Sequence, residues 1–282
     1  MAQIVVLERK CTGCQVCLNS CPFGAIRMVN GQPVISEACR LCNICVKNCP
    51  EKALMRLETK AKSVDKSKWQ GVLVFAEAVG GALHPVSLEL IGKGRQLAGV
   101  VGQKVQAIIL GDGIQYAAEE LRHYGVEKVA VYDDPALGYF RADVYADCVA
   151  DYIRLMKPSV VLIGATSLGR SLAPRLSTRF RTGLTADCTQ LEMKGNTDLV
   201  QIRPAFGGNI MAQIVTESTR PQFATVRYKV MDAPVRDAVP AGQILHRSLP
   251  GEALQSKVSL VKASPVKAGR SISDAQILVV GG

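Results

Sequence analysis

Two cysteine runs of identical spacing constrain this chain more than any other feature. Cys11-Thr-Gly-Cys14-Gln-Val-Cys17-Leu-Asn-Ser-Cys21-Pro22 recurs as Cys39-Arg-Leu-Cys42-Asn-Ile-Cys45-Val-Lys-Asn-Cys49-Pro50. Both read C-x2-C-x2-C-x3-C-P, the spacing of chains that carry two 4Fe–4S clusters. The short gaps let three thiolates of one loop close around one corner of a cubane, while the fourth cysteine sits on a turn that points away. The expected ligation is therefore crossed. Cys11, Cys14, Cys17 and Cys49 form one set, and Cys39, Cys42, Cys45 and Cys21 the other. Pro22 and Pro50 lack an amide donor and end each turn after its fourth ligand. Structural zinc is allowed by the thiol count, but zinc sites pair a C-x2-C with a distant second pair. Disulfides conflict with the intracellular character of the rest of the chain.

The clusters change how the charge is read. The formal net charge is +10, a count that treats cysteine as neutral. Two oxidised cubanes with their thiolates remove about four units. The remaining excess is scattered, without an arginine-rich run or interleaved aromatics, so nucleic-acid binding has little support. Docking acidic electron carriers or holding anionic nucleotides is the better use of it. No apolar run approaches the ~20 residues of a membrane span. Residues 1–7 lack the pattern of a signal peptide. The compartment expected is the cytoplasm, where free thiols persist.

Residues 1–57 predict a small β-α-β-β-α-β module. Strands are expected at 4–7, 26–29, 33–35 and 54–57, with a hairpin turn at Asn30-Gly31 and helical turns after each third cysteine. Such a module has little core of its own, so the clusters supply folding free energy. Residues 58–69 are polar and lysine-rich (Lys60, Lys62, Lys66, Lys68) and read as a solvated linker.

From Gln70 apolar strands alternate with helices. Strands are expected at 71–75, 105–110, 128–132 and 160–163, and helices at 86–100, 115–124, 143–156 and from 170 to 179. That alternation predicts a doubly wound, mostly parallel sheet covered on both faces, an α/β fold. Ligands on such sheets bind at the carboxyl ends of strands, here near 111–113, 133–134 and 164–170. After Thr185 short strands follow at 191–193, 199–203, 210–215 and 223–227, and extra antiparallel strands are expected in addition to the mostly parallel sheet. Residues 232–276 read as an extended arm, and 275–280 as one more apolar strand that runs into Gly281-Gly282. A strand ending in paired glycines is how a dinucleotide-binding βαβ unit begins.

Residues 70–282 resemble the first domain of the alpha subunit of electron-transfer flavoproteins. The resemblance rests on Gly164-Ala-Thr-Ser-Leu-Gly-Arg170, Leu172-Ala-Pro174-Arg175, Thr185-Ala-Asp187, Arg203-Pro-Ala-Phe-Gly207-Gly208-Asn209 and Thr225-Val-Arg227. Val279-Val-Gly-Gly282 falls where that family's C-terminal FAD-binding domain starts. The expected division is 1–57 ferredoxin-like, 58–69 linker, 70–231 flavoprotein domain, and 232–282 arm plus the first strand of an FAD-binding domain that the sequence as given lacks. A ferredoxin module on this subunit resembles the electron-bifurcating members of the family.

The resemblance implies an electron-transfer subunit of an NAD-dependent oxidoreductase complex. Its implied partners are a beta subunit, a flavin-dependent dehydrogenase and a soluble ferredoxin. Besides two 4Fe–4S clusters it implies FAD, at the beta-subunit interface and in the C-terminal domain. The family places the loop of Arg203, Gly207, Gly208 and Asn209 at that interface, with Arg227 a weaker companion. There a guanidinium can stabilise an anionic reduced flavin, and glycines allow close backbone approach. The plainer reading is a turn glycine pair with a surface arginine. Residues 164–169 before a helix suit either a phosphate cradle or simply a tight βα turn. Lys47 and Lys52 are candidates for docking an acidic ferredoxin, against the ordinary reading of solvated lysines. Cys148 and Cys188 read as small buried hydrophobes, and His84, His123 and His246 are isolated. No nucleophile–base pair stands out, so hydrolase chemistry has little support. A rival to bifurcation keeps the ferredoxin module as a structural or docking domain of a non-bifurcating flavoprotein.

Overall fold

The computed structural model describes residues 2–58, 64–264, 272, 275 and 277–281. The chain forms two units, Met1–Val64 and Asp65–Gly282.

The first unit runs β1 (Ala2–Val6), α1 (Val16–Asn19), β2 (Ile26–Val29), β3 (Gln32–Ile35), α2 (Ile44–Asn48) and β4 (Leu54–Glu58). Asn30 and Gly31 both hold positive φ, as a two-residue hairpin turn requires. The expectation of one sheet closed by the last strand is corrected. β1 pairs antiparallel with β4, and β2 with β3, as separate two-stranded sheets. Ile4, Cys17, Ile26, Cys45 and Leu54 form one buried cluster, and Ala25 and Ala53 are buried as well. The third cysteine of each run lies inside its helical turn rather than before it.

The second unit carries β5 (Val72–Ala76), β6 (Ala78–Val79), β7 (Ala82–Leu83), α3 (Pro85–Val100), β8 (Val105–Gly111), α4 (Gln115–Leu121), β9 (Lys128–Asp133), α5 (Ala142–Met156), β10 (Val160–Gly164) and α6 (Ser167–Arg179). Then come β11 (Leu184–Cys188), β12 (Gln190–Met193), β13 (Leu199–Ala205), β14 (Ile210–Val215), β15 (Gln222–Val226) and β16 (Gln243–Arg247). Seven strands make one parallel sheet in the order β11-β15-β10-β5-β8-β9-β16. The central strands β5, β8 and β10 are buried on both faces, which explains their apolar runs. Val72, Val74, Ala107 and Ile109 pack with Val86, Leu90, Leu97 and Leu121 of α3 and α4. Their alternates Leu73, Phe75, Ile108 and Leu110 pack with Val149, Ile153, Leu172 and Leu176 of α5 and α6. β12, β13 and β14 form a separate antiparallel sheet.

Gly94, despite its low helix propensity, presses α3 onto the sheet. A Cβ there would touch Val72 and Val74 at 3.4 Å. Gly125 ends the helical segment after α4 in a left-handed conformation, φ +71°.

Three further expectations are corrected. The arm is not uniformly extended: β16 lies within it and adds to the sheet edge beside β9. Of the apolar stretch 275–280, the described residues belong to no strand, and Val279 is 93% exposed. A lone apolar segment without a ladder partner has nothing to hold it extended. The stretch read as linker is partly structured. Residues 59–63 lie outside the described residues, Glu58 belongs to β4, and Lys66–Lys68 form a 3-10 turn. Lys66 is not a solvated lysine. Its Nζ lies 2.7 Å from Asp198 Oδ1, a carboxylate only 3% exposed.

Candidate functional site

In the first unit the fold brings the two cysteine runs together crosswise. One hollow is lined by Cys11, Cys14, Cys17 and Cys49, with Met28, Pro33 and Glu51. Cys49 comes from the second run. On the other side, burial first and then the nearby Cys39, Cys42 and Cys21 push the Cys45 thiol up, so Cys21 of the first run sits with the second. Burial likewise raises Cys17, helped by Cys11 and Cys14.

The loops repeat one backbone design. Gly13 and Gln15 hold φ of +70° and +61°, and Leu41 and Asn43 hold +54° and +64°. Left-handed residues on either side of Cys14 and Cys42 form the kind of backbone nest that turns amide N–H groups inward on an anion. The Ala25 amide donates to Cys21 Sγ, and the Ala53 amide to Cys49 Sγ, each at 3.3 Å. Thiolates around a hollow, with amides aimed at sulfur, fit a negatively charged iron–sulfur group.

The second unit gathers cationic groups at the carboxyl ends of β10, β15 and β11. Gly164 is in register with Val226. The Arg227 amide donates to the Cys188 carbonyl at 3.1 Å. Arg203 on β13 lies close enough to favour the Cys188 thiolate, but burial dominates and pushes that thiol up to about 12. Cys148, buried in α5, is also raised to about 12. Both behave as inert packing groups.

The glycines of the β10–α6 turn serve packing. A Cβ at Gly169 would collide with the Gly164 carbonyl, and one at Gly164 with Val86. Thr166 caps α6, its Oγ1 accepting from the Gly169 amide at 3.0 Å and donating to Glu77 Oε2 at 2.6 Å. A carboxylate therefore stands at the helix N-terminus, where a phosphate would otherwise bind. This favours the tight turn over the phosphate cradle.

Gly207, Gly208 and Asn209 lie at the tip of the β13–β14 hairpin, four to six residues beyond Arg203 of β13. Phe206, Gly207 and Gly208 hold positive φ in succession, and Phe206 is 82% exposed. The fold thus places Arg203 and the tip on one hairpin, and Arg227 beside Cys188 at the end of β11.

Two features escaped the sequence reading. Arg170 forms a two-point ion pair with Asp187, at 3.2 and 3.1 Å. Asp187 itself holds φ +59°, its amide donating to Thr225 Oγ1. The Asp in Thr185-Ala-Asp187, a residue type that tolerates the left-handed region, was the available signal.

Residues 72–263 match the electron transfer flavoprotein domain, and residues 10–54 the 4Fe-4S dicluster domain. The chain is 49% identical over 262 residues to the lactate dehydrogenase (NAD(+),ferredoxin) subunit LctC of Acetobacterium woodii, covering 93% of this chain and 63% of that protein. It is 40% identical over 223 residues to the electron transfer flavoprotein subunit alpha of Megasphaera elsdenii, covering 78% and 65%. With the acryloyl-CoA reductase electron transfer subunit beta of Anaerotignum propionicum it shares 38% over 223 residues, covering 70% and 61%. The chain thus spans under two thirds of the length of these relatives. The first match takes in so much of the chain that most of the cysteine-bearing unit lies inside it.

Proposed function

The chain belongs to the electron transfer flavoprotein family and serves electron transfer, and from that premise we propose that it is the iron–sulfur-bearing, alpha-type subunit of a bifurcating complex. Its partners in this reading are a beta subunit, a flavin-dependent dehydrogenase and a soluble ferredoxin, in the cytoplasm. Support comes from the matched dicluster domain and from the relative named for NAD(+) and ferredoxin. Among the described residues no helix is long and apolar enough to cross a membrane.

The observation that carries the reading is the crossed hollow, where Cys49 of the second run joins Cys11, Cys14 and Cys17. Cys39, Cys42, Cys45 and Cys21 would hold the second centre. When bound, such centres supply one-electron exchange at low potential and FAD supplies exchange of one or two electrons. The chain's own residues hold the thiolates in place, aim the amides of Ala25 and Ala53 at sulfur, and bury Cys17 and Cys45 away from water. In the second unit Arg203, with Gly207, Gly208 and Asn209, would meet the isoalloxazine edge of a flavin held with the beta subunit, and Arg227 would add positive charge. Guanidinium groups favour the anionic reduced ring. Lys47 and Lys52, both exposed, would face an acidic ferredoxin.

The test uses the complex assembled with its beta subunit. Replacing Cys11 or Cys39 with Ala should abolish NADH-driven ferredoxin reduction while flavin content stays intact. Undiminished ferredoxin reduction would remove the clusters from the path and leave the module a docking domain.

A further inference from the structure

Three arginines of the second unit converge on one dipeptide, Asp187-Cys188, at the end of β11. Arg170 of α6 donates from Nε and Nη2 to the two carboxylate oxygens of Asp187, at 3.2 and 3.1 Å. The Arg227 amide donates to the Cys188 carbonyl at 3.1 Å. Arg203 lies near enough to the Cys188 sulfur to favour its thiolate, and Asp187 near enough to oppose it. Among the described residues, Arg170 alone of the three meets a carboxylate. Arg203 donates from Nε to the carbonyl of its neighbour Pro204 at 3.4 Å, and neither it nor Arg227 has an ion-pair partner.

Stability does not account for the pair of Arg170 and Asp187. Its side chains are 56% and 24% exposed, and pairs open to water contribute little. Asp187 also holds φ +59°, a conformation that is costly for most side chains and that collects at functional sites. Its amide is fixed by Thr225 Oγ1 at 2.9 Å, which holds the loop against β15, two residues from Arg227. A bare carboxylate kept there, close to two unpaired arginines, would cancel part of their charge. Arg170 covers both of its oxygens.

We propose that Arg170 is a positioning residue for the flavin site: by engaging both oxygens of Asp187 it neutralises that carboxylate and leaves the charges of Arg203 and Arg227 free to act on the ring. The inference rests on the reading that sets a flavin against the hairpin of Arg203, and adds what governs the strength of the positive charge there. A hydride from the nicotinamide donor brings two electrons and one proton and leaves the reduced ring with one negative charge. Positive charge nearby favours that state. Opposite signs follow for the two partners. Loss of Arg170 leaves Asp187 negative and disfavours the anionic reduced ring. Loss of the Asp187 charge leaves Arg170 positive and favours it. A pair that only braced the loop would move the equilibrium in one direction, whichever partner was lost.

The experiment is an anaerobic, mediated redox titration of the flavins in the full chain assembled with its beta subunit, with flavin counted on each sample. Arg203→Gln marks the flavin beside the hairpin, as the step that it moves to lower potential. Arg170→Met should lower the same step, shifting the reduced-to-oxidised ratio by about threefold or more. Asp187→Asn should raise it by a similar factor. Asparagine tolerates the left-handed region, so this change removes charge without new strain. The double variant Arg170→Met with Asp187→Asn should return the step close to wild type. Should Arg170→Met fail to assemble, the direction taken by Asp187→Asn decides alone. Both single variants moving the step one way, or neither moving it at full flavin content, would overturn the proposal. An Arg203→Gln variant that moves no flavin step would instead overturn the placing of the flavin on which it rests.

Discussion

Single residues decide stability where charge or space is confined. Asp198 is 3% exposed and Arg220 fully buried, joined at 2.6 Å, with Lys66 on the same carboxylate oxygen. Burial alone would raise the Asp198 carboxyl, but the hydrogen bonds from Lys66 and Arg220 outweigh it and hold the group below the usual carboxylate range. Its folded value is thus lower than its unfolded one. The contribution is fully present above about pH 4 and is lost as pH falls through the folded value. Asp198→Asn should strand the Arg220 charge and cost roughly 3–5 kcal/mol. Denaturant titrations at neutral pH would measure it, and the gap to wild type should narrow in acid. Gly169→Ala should cost about 3 kcal/mol by overpacking against the Gly164 carbonyl. An unchanged denaturation midpoint would show that the β10–α6 turn has room to give.

At the scale of elements, β16 is the test case. It is held to β9 by a parallel ladder and by Arg247, whose Nη2 donates to Asp151 Oδ2 at 2.9 Å. The Tyr132 hydroxyl shares that oxygen at 2.6 Å. Gly242 admits the strand, because its φ is +80° and a Cβ there would overlap the Val126 carbonyl. Gly242→Ala should therefore detach the edge strand. Amide hydrogen exchange in 243–247 should quicken by about tenfold or more, with the central strands unaffected. Nothing local announces β16. Its five residues lie between Pro240 and Pro250, and its stability comes from β9, more than a hundred residues earlier. β11 was equally hard to read, since a bulge between Thr185 and Cys188 breaks its alternation. By contrast, β5, β8, β9 and β10 were legible because a strand buried on both faces is apolar throughout. The hairpin at Asn30-Gly31 was legible because that dipeptide suits two left-handed residues. Crossed cysteines were legible because the spacing is itself geometric. The Thr166–Glu77 cap was not, since the partners are 89 positions apart.

For the whole molecule the two units differ in what holds them folded. The second has an extensive two-sided core, while the first has one small cluster of Ile4, Ile26 and Leu54 with two of the cysteines, Cys17 and Cys45. Chelation of iron should therefore abolish the structure of the first unit and spare the second. Calorimetry before and after iron removal would check this. One transition should vanish and the other keep its midpoint.

The central claim is that the two cysteine runs hold two iron–sulfur cubanes. Iron and acid-labile sulfide, counted on the anaerobically prepared chain, test it most directly. The account predicts about eight of each per chain. Zinc in place of iron, or thiols without sulfide, would contradict it.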